Sequence, residues 1–352
     1  MKIAPLHRAL SAEAWCDARI VHTGQHYDAA MSAAFFRDLA LPDPAYHLEV
    51  GSGTHAEQTG RTMIAYEAVA LQEQPAAVVV VGDVNATMAC ATVGAKLRIP
   101  VVHLEAGLRS RDRNMPEEIN RIVTDAISDL LWTPSPDADA NLLAEGVASE
   151  RIERIGNIMI DSFEMLRTQI EQADMLGRLS LQSSHYAVVT LHRPSNVDDL
   201  QRMTELVNML EAVAEKLPVV FAVHPRTRKR LQEFGLERRV IAQPRILVTA
   251  PLGYIEFMNL VKSCAIAITD SGGVQEETTY LGVPCVTLRE NTERPITVTE
   301  GTNRLLAPSD VADAVDEALT GHWKRGRRPQ YWDGHTAKRA TASLERFLAH
   351  AR

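Results

Sequence analysis

Short apolar runs alternate with longer amphipathic stretches along most of this 352-residue chain. Runs at 77–81, 100–104, 187–191, 219–223, 246–248, 266–269 and 285–288 each have the length of a buried strand. The segments between them repeat at helical spacing: over 200–217, Met203, Leu206, Val207 and Leu210 fall on one face. Strand-length runs separated by helical segments predict parallel sheets in α/β domains. The alternation pauses around 156–177 and restarts at His185, which predicts a domain boundary there. Ligands of open parallel sheets bind beyond the carboxyl ends of the strands, so polar residues just after each apolar run carry the most weight. No internal repeat or low-complexity tract interrupts the pattern.

Length supports the two-domain reading, because 352 residues exceed one comfortable core. No apolar run approaches the roughly 18 residues that a membrane span needs. The first ten residues do not read as a secretory signal, since a Pro and a His break any apolar stretch, and the expected location is the cytoplasm. Cys16, Cys90, Cys264 and Cys285 are too scattered for a zinc motif or a disulfide scaffold and are expected to be reduced. A net charge of −8 argues against a nucleic-acid partner. Any anionic ligand must therefore be held by a few local cations and backbone amides. The basic run at 324–328 reads as a solvated linker or helix end.

Four groups of residues carry candidate chemistry. Asp270-Ser271-Gly272-Gly273 follows an apolar strand and leads into a helix expected to start with acidic residues, Glu276 and Glu277, a form in which free N–H groups and the helix dipole receive an anion such as a diphosphate. A plain strand-to-helix turn is the competing reading. Arg294, in Thr292-Glu293-Arg294-Pro295, is a candidate phosphate ligand whose alternative is a surface ion pair with Glu293. Asp83 and Glu105 end two successive strands, and Pro116-Glu117-Glu118 opens a helix, so carboxylates gather that could serve as acid and base; simple capping by Glu117 and Glu118 is the alternative. His192 and His224 each end an apolar strand with an Arg close behind. Gly51-Ser52-Gly53-Thr54-His55-Ala56 superficially suggests a dinucleotide fingerprint, but Ala56 stands in place of the third glycine and an NAD site is rejected.

Taken in order, Thr23-Gly24-Gln25-His26, Gly82-Asp83, His103-Leu104-Glu105-Ala106-Gly107-Leu108-Arg109, Pro116-Glu117-Glu118 with Arg121, Thr190-Leu191-His192-Arg193, the stretch from Asp270 to Glu277, and Thr292-Glu293-Arg294-Pro295 resemble the non-hydrolysing UDP-N-acetylglucosamine 2-epimerases through nearly the whole chain. The resemblance implies two Rossmann-like, doubly wound α/β domains facing a cleft, as in GT-B enzymes. The first would be 1–158 with a returning helix at 335–352, and the second, binding UDP, 159–334. It implies a homodimer acting on a UDP-sugar, with neither redox cofactor nor metal. Asp83, Glu105, Glu117 and His192 fall at catalytic positions. Phe257, Ser271, Gly272, Gly273, Glu277 and Arg294 fall where UDP binds, with Lys2 at a family active-site lysine and Gln25 and His26 in an allosteric region.

Two departures modify this picture. The family opens with an apolar strand and a Gly-Thr-Arg-Pro-Glu loop before a segment like Met1-Lys2-Ile3-Ala4-Pro5-Leu6. Here the chain begins at that segment, so the first sheet is expected to lack a central strand and a phosphate-binding Arg, through a misplaced start or a truncation, at a cost in stability. Ser195 stands where many members have Glu, which bears on the sugar. The competing activities are a hydrolysing 2-epimerase, an epimerase of a UDP-2,3-diacetamido uronate, a GT-B glycosyltransferase and an inactive UDP-sugar-binding protein.

Overall fold

In the computed structural model, residues 1–24, 39 and 41–350 are described; Gln25 and His26 lie outside them. The chain divides into two compact units, Met1–Met165 with Gln330–Arg352, and Leu166–Pro329. The division falls inside one helix, a little beyond the expected boundary at 158.

The first unit contains β1 (Val21–His22), β2 (Tyr46–His47), β3 (Val78–Val81), β4 (Val101–Leu104), β5 (Leu130–Thr133) and β6 (Ile152–Arg154), with helices α1 (Ile3–Leu10), α2 (His55–Glu73), α3 (Asn85–Lys96), α4 (Pro116–Ile127), α5 (Pro136–Ala144) and α6 (Ile158–Gln172). Strands β3-β4-β5-β6 form a parallel sheet, and β1 and β2 form a separate parallel pair. Strand β4 is buried along its whole length, which is why its sequence is an unbroken run rather than an alternation. The sequence pattern missed β6, whose Ile-Glu-Arg is the polar composition of an edge strand.

Among the described residues, strand β3 pairs only with β4. Val78 N–H donates to Pro100 and Gly82 N–H to Leu104, so the period-2 alternation turns the amides of Val79 and Val81 to the other side. On that side lies an apolar groove of about 760 Å³ whose lining includes Val78, Val80, Val21, Leu6, Tyr66 and Leu344. The segment Gly51–Thr54 is a helix start rather than a nucleotide loop: Thr54 and Glu57 form a reciprocal capping box on α2.

The second unit contains β7 (Ala187–Thr190), β8 (Val219–Ala222), β9 (Ile246–Thr249), β10 (Ile266–Thr269), β11 (Cys285–Thr287) and β12 (Asn303–Leu305), with principal helices α7 (Leu200–Lys216), α8 (Pro225–Glu233), α9 (Tyr254–Ser263), α10 (Gly272–Leu281) and α11 (Val311–Leu319). Its six parallel strands run in the order β12-β11-β10-β7-β8-β9. The winding reverses between β7 and β10, and such a switch point is where open α/β sheets bind ligands. The core joins Val189, Phe221, Ile268 and Val286 from the strands with Leu206 and Leu210 from α7.

The last helix, α12 (Thr336–His350), belongs to the first unit. Its Ala337, Ala340 and Leu344 pack with Leu6, Leu104 and Trp132. The Asp161 carboxylate accepts the amides of Thr336 and Ala337, at 3.1 and 2.7 Å, and so caps its first turn. Among the described residues, no helix is long and apolar enough to cross a membrane.

Candidate active site

In the first unit the expected carboxylates stand at the ends of paired strands. Asp83 lies just past β3, and Glu105 immediately follows β4 with φ of 76°, a left-handed conformation that is uncommon for Glu. Gly82 and Gly107 beside them also have positive φ, and at Gly107 a Cβ would meet the Ala138 carbonyl oxygen at 2.4 Å, so only glycine fits. Arg121 Nη1 lies 2.5 Å from the Asp83 carboxylate and its Nη2 lies 2.7 Å from Glu118. Asn120 donates to the Asp83 carbonyl at 2.9 Å. Lys2 forms an ion pair with Glu105, which places this residue against a candidate acid or base.

Glu117 and Glu118 begin α4 together but have different environments. Glu118 is buried and accepts the amides of Ser110 and Arg111 at 2.9 and 2.8 Å. Burial pushes its carboxyl up, but these amides and Arg121 outweigh burial and hold it below the usual range. Glu117 is half-buried, on the partly open side of the helix start. The capping reading therefore misses Glu118, which braces Arg121 and the loop before α4, and leaves Glu117 accessible for chemistry.

In the second unit, Asp270 at the end of β10 is the organising residue. It is completely buried and accepts the backbone amides of His192 and Arg193 and the side-chain amide of Asn196. His192 Nδ1 lies 2.9 Å from it. Burial raises the Asp270 carboxyl, but the His192 ring and these donors bring it below its ordinary value. The His192 and His224 rings lie 5.5 Å apart, and burial together with the His192 charge lowers His224.

Ser271 is the N-cap of α10 without a side-chain capping bond, and the first turn that follows contains no acidic residue. The expectation of an acidic helix start is thus corrected: Glu276 and Glu277 lie beyond the first turn. A Cβ on Gly272 would come within 2.6 Å of Arg294 Nη1, so the glycine makes room for a guanidinium. Gly273 is half-buried beside it. Arg294 pairs with Glu276, Nε to Oε1 at 2.8 Å, and with Glu293. The Glu293–Arg294 pair exists, but it is buried rather than on the surface, and Arg289 joins it at 2.8 Å. Burial would push Glu293 up, yet Arg294 and Arg289 hold it far below the ordinary carboxylate range.

Glu277 is in the opposite condition. Burial pushes its carboxyl up to about 8, Glu276 adds to this, and the Tyr254 hydroxyl opposes it. Phe257 is half-buried on α9, the helix that begins with Tyr254.

Sequence reasoning quoted Asp270, His103 and Gln275 within motifs without giving them a supporting role, and it passed over Asp125; these four hold the residues at the strand ends. Gln275 Oε1 accepts Thr292 Oγ1 at 2.8 Å and Asn303 Nδ2 at 3.1 Å, tying α10 to the loop that carries Arg294. A polar residue directly after or inside an apolar run, as with Asp270 and His103, was the available signal. Ser195 is exposed, in the short helix after His192. No group of three or more metal-ligating side chains is assembled among the described residues.

The family model for UDP-N-acetylglucosamine 2-epimerase matches residues 8–345. A UDP-N-acetylglucosamine 2-epimerase of Methanocaldococcus jannaschii is 45% identical, over 98% of this chain and 95% of its own length. A UDP-2,3-diacetamido-2,3-dideoxy-D-glucuronate 2-epimerase of Pseudomonas aeruginosa is 40% identical over 87% of this chain and 84% of its own. The crystal structure of the M. jannaschii UDP-GlcNAc 2-epimerase in complex with UDP-GlcNAc and UDP matches with a TM-score of 0.90 and 42% identity, covering 98% of this chain and 96% of that one. With strand-end carboxylates in one parallel α/β unit and a glycine-led helix start at the switch point of the other, this chain belongs to the UDP-N-acetylglucosamine 2-epimerase family.

Proposed function

We propose that this chain inverts C2 of UDP-N-acetylglucosamine, giving the UDP-N-acetylmannosamine epimer by elimination and re-addition of UDP. The observation that carries this reading is the near full-length likeness to the M. jannaschii enzyme and to its complex with UDP-GlcNAc and UDP. The C2 hydrogen is not adjacent to a carbonyl, so its removal needs another driving force. Departure of UDP supplies it. A carboxylate takes the C2 proton, the C–H electron pair becomes the C1–C2 double bond of a 2-acetamidoglucal, and the C1–O bond breaks with its electrons going to UDP. UDP then adds back at C1 while a carboxylic acid returns a proton to the opposite face of C2.

Asp83, Glu105 and Glu117 share the proton transfers, with Lys2 paired to Glu105. His192 and Arg294 steady the departing diphosphate, while the amides of Ser271, Gly272 and Gly273 receive its oxygens at the start of α10. Glu277 and Phe257 hold the remainder of the nucleotide. The working form is a homodimer. In support, α2 leaves Ile64 75% and Leu71 58% exposed on a helix of the first unit, apolar surface suited to a second copy.

The P. aeruginosa relative favours a second substrate, a UDP-2,3-diacetamido uronate. Incubation in deuterated water with each UDP-sugar, followed by NMR, separates the readings. Deuterium at C2 with a UDP-linked epimer from UDP-GlcNAc is the expected result. Turnover of the uronate alone reassigns the sugar, and free N-acetylmannosamine accumulating with UDP makes the chain a hydrolase. UDP binding without exchange on either substrate removes the catalytic reading. In the same assay, Glu117→Gln is expected to lower exchange on the order of 100- to 10,000-fold, and full retention would take Glu117 out of the proton-transfer set.

A further inference from the structure

We propose that His103 is a permanently protonated positioning residue, an imidazolium buried in the first unit that fixes the Gly82 turn before Asp83 and the Asp125-centred loop behind Glu105. This rests on the reading of Asp83 and Glu105 as proton-transfer groups. The argument begins from what its two nitrogens touch. His103 interrupts the apolar run of β4 and is fully buried. Its Nε2 lies 2.8 Å from the Gly82 carbonyl oxygen, and its Nδ1 lies 2.6 Å from Asp125 Oδ1.

A carbonyl oxygen can only accept, so Nε2 must carry a hydrogen. A carboxylate can only accept, so Nδ1 must carry one as well unless Asp125 is itself protonated. Asp125 is not in a neutral setting. Arg109 Nη1 lies 2.7 Å from its Oδ2, and the Gly107 amide donates to that same oxygen at 3.1 Å. The ring therefore has no acceptor role to play, and both of its nitrogens donate. Burial by itself would push His103 down, but the Asp125 charge and hydrogen bond, the Gly82 carbonyl and the Glu105 charge outweigh it and raise the ring above its usual range. Burial likewise pushes Asp125 up, and His103 and Arg109 hold it below.

The charges around the ring come from every neighbouring element. Asp125 and the Glu118–Arg121 pair stand on α4, and Arg109 follows β4 and reaches Glu145 at the end of α5. Glu105 with its Lys2 partner ends β4, and Asp83 with its Arg121 partner ends β3. His103 thus sits within a network of opposed charges, on the strand that leads to Glu105 and hydrogen-bonded to the turn that leads from the neighbouring β3 to Asp83. Its Nε2–H holds the left-handed Gly82, and through Asp125 it holds left-handed Gly107 on the far side of Glu105. Buried networks of this kind restrict the geometry of the groups they support when every member is satisfied.

Two readouts test this without any turnover. Nitrogen-15 NMR of the wild-type ring is expected to show both nitrogens protonated through neutral and mildly alkaline pH, and one bare nitrogen at neutral pH would overturn the proposal. In His103→Gln, which keeps a donor but not the charge, the backbone resonances of Gly82, Asp83, Glu105 and Gly107 are expected to move together; shifts confined to β4 would also overturn it. With substrate, His103→Gln should lose kcat on the order of 100-fold with KM nearly unchanged. The acid limb of its rate profile should move up, because the carboxylates beside the lost cation ionise less readily. An unchanged profile defeats the positioning role. A doubly protonated ring in a wild-type chain that turns over neither UDP-sugar would sink the proposed function and leave the charge assignment standing.

Discussion

Asp83 and Asp270 occupy equivalent places, each just beyond a parallel strand, but the two units support them differently. Strand β10, which leads to Asp270, is hydrogen-bonded on both sides, by β7 and β11. Strand β3, which leads to Asp83, is bonded among the described residues on one side and faces an apolar groove on the other. Asp270 is accordingly held largely by backbone amides, whereas Asp83 is held by the Arg121 guanidinium, itself braced by Glu118. A site on a complete sheet can borrow precision from its backbone. One on an open edge depends on a side-chain network for the same purpose.

The largest expected effect follows from that dependence. Arg121→Met leaves buried Glu118, and half-buried Asp83 beside it, without their cation and should destabilise the first unit by about 3–5 kcal/mol. Arg294→Met should cost less, because Arg289 still faces Glu293, while weakening UDP binding. Thermal melts and UDP titration of the two variants measure this contrast, and equal losses of stability would erase it.

A middle-sized effect concerns Glu277. Its folded carboxyl is raised to about 8 from an ordinary value near 4.5, so the native state keeps a proton that the unfolded chain releases. The second unit should therefore lose stability as pH rises from about 4.5 to 8, with the full cost present above that window. Glu277→Gln should flatten the dependence of melting temperature on pH over that range. A wild-type curve that is already flat would show that Glu277 ionises normally.

The smallest effect is local. The amides of Val79 and Val81 face the groove, whereas the Ala267 amide of β10 donates to Pro284 within the sheet at 2.9 Å. Native-state hydrogen exchange should be faster at Val79 and Val81 than at Ala267. Equal protection would mean that the free edge of β3 is covered in solution and that the two sheets are equally supported.

Legibility in the sequence followed the same division. Strands buried on both faces, such as 101–104, 219–222 and 266–269, were readable because burial on two sides demands a continuous apolar run. Edge strand Ile152–Arg154 and the short Val21–His22 were not, because one exposed face or a two-residue length leaves no such signature. The residues at strand ends were found by position. Their supports were not, since Asp125 lies 22 residues from His103, and Asn196 lies 74 from Asp270, and only folding brings each pair within hydrogen-bond reach.

By itself, then, the sequence determined the α/β alternation, the two-part organisation and the ordered motifs that mark the family, because each depends on local periodicity or on residue types at short spacing. The tertiary structure decided which carboxylates are spent on support and which remain open. Glu117 and Glu118 are neighbours of the same type at the same helix start, yet one is half-buried while the other is fixed by two amides and an arginine. Glu276 and Glu277 part in the same way, one paired with Arg294 and the other raised by burial. What separates them is the direction a side chain takes into the fold, and that is set by packing between elements distant in sequence.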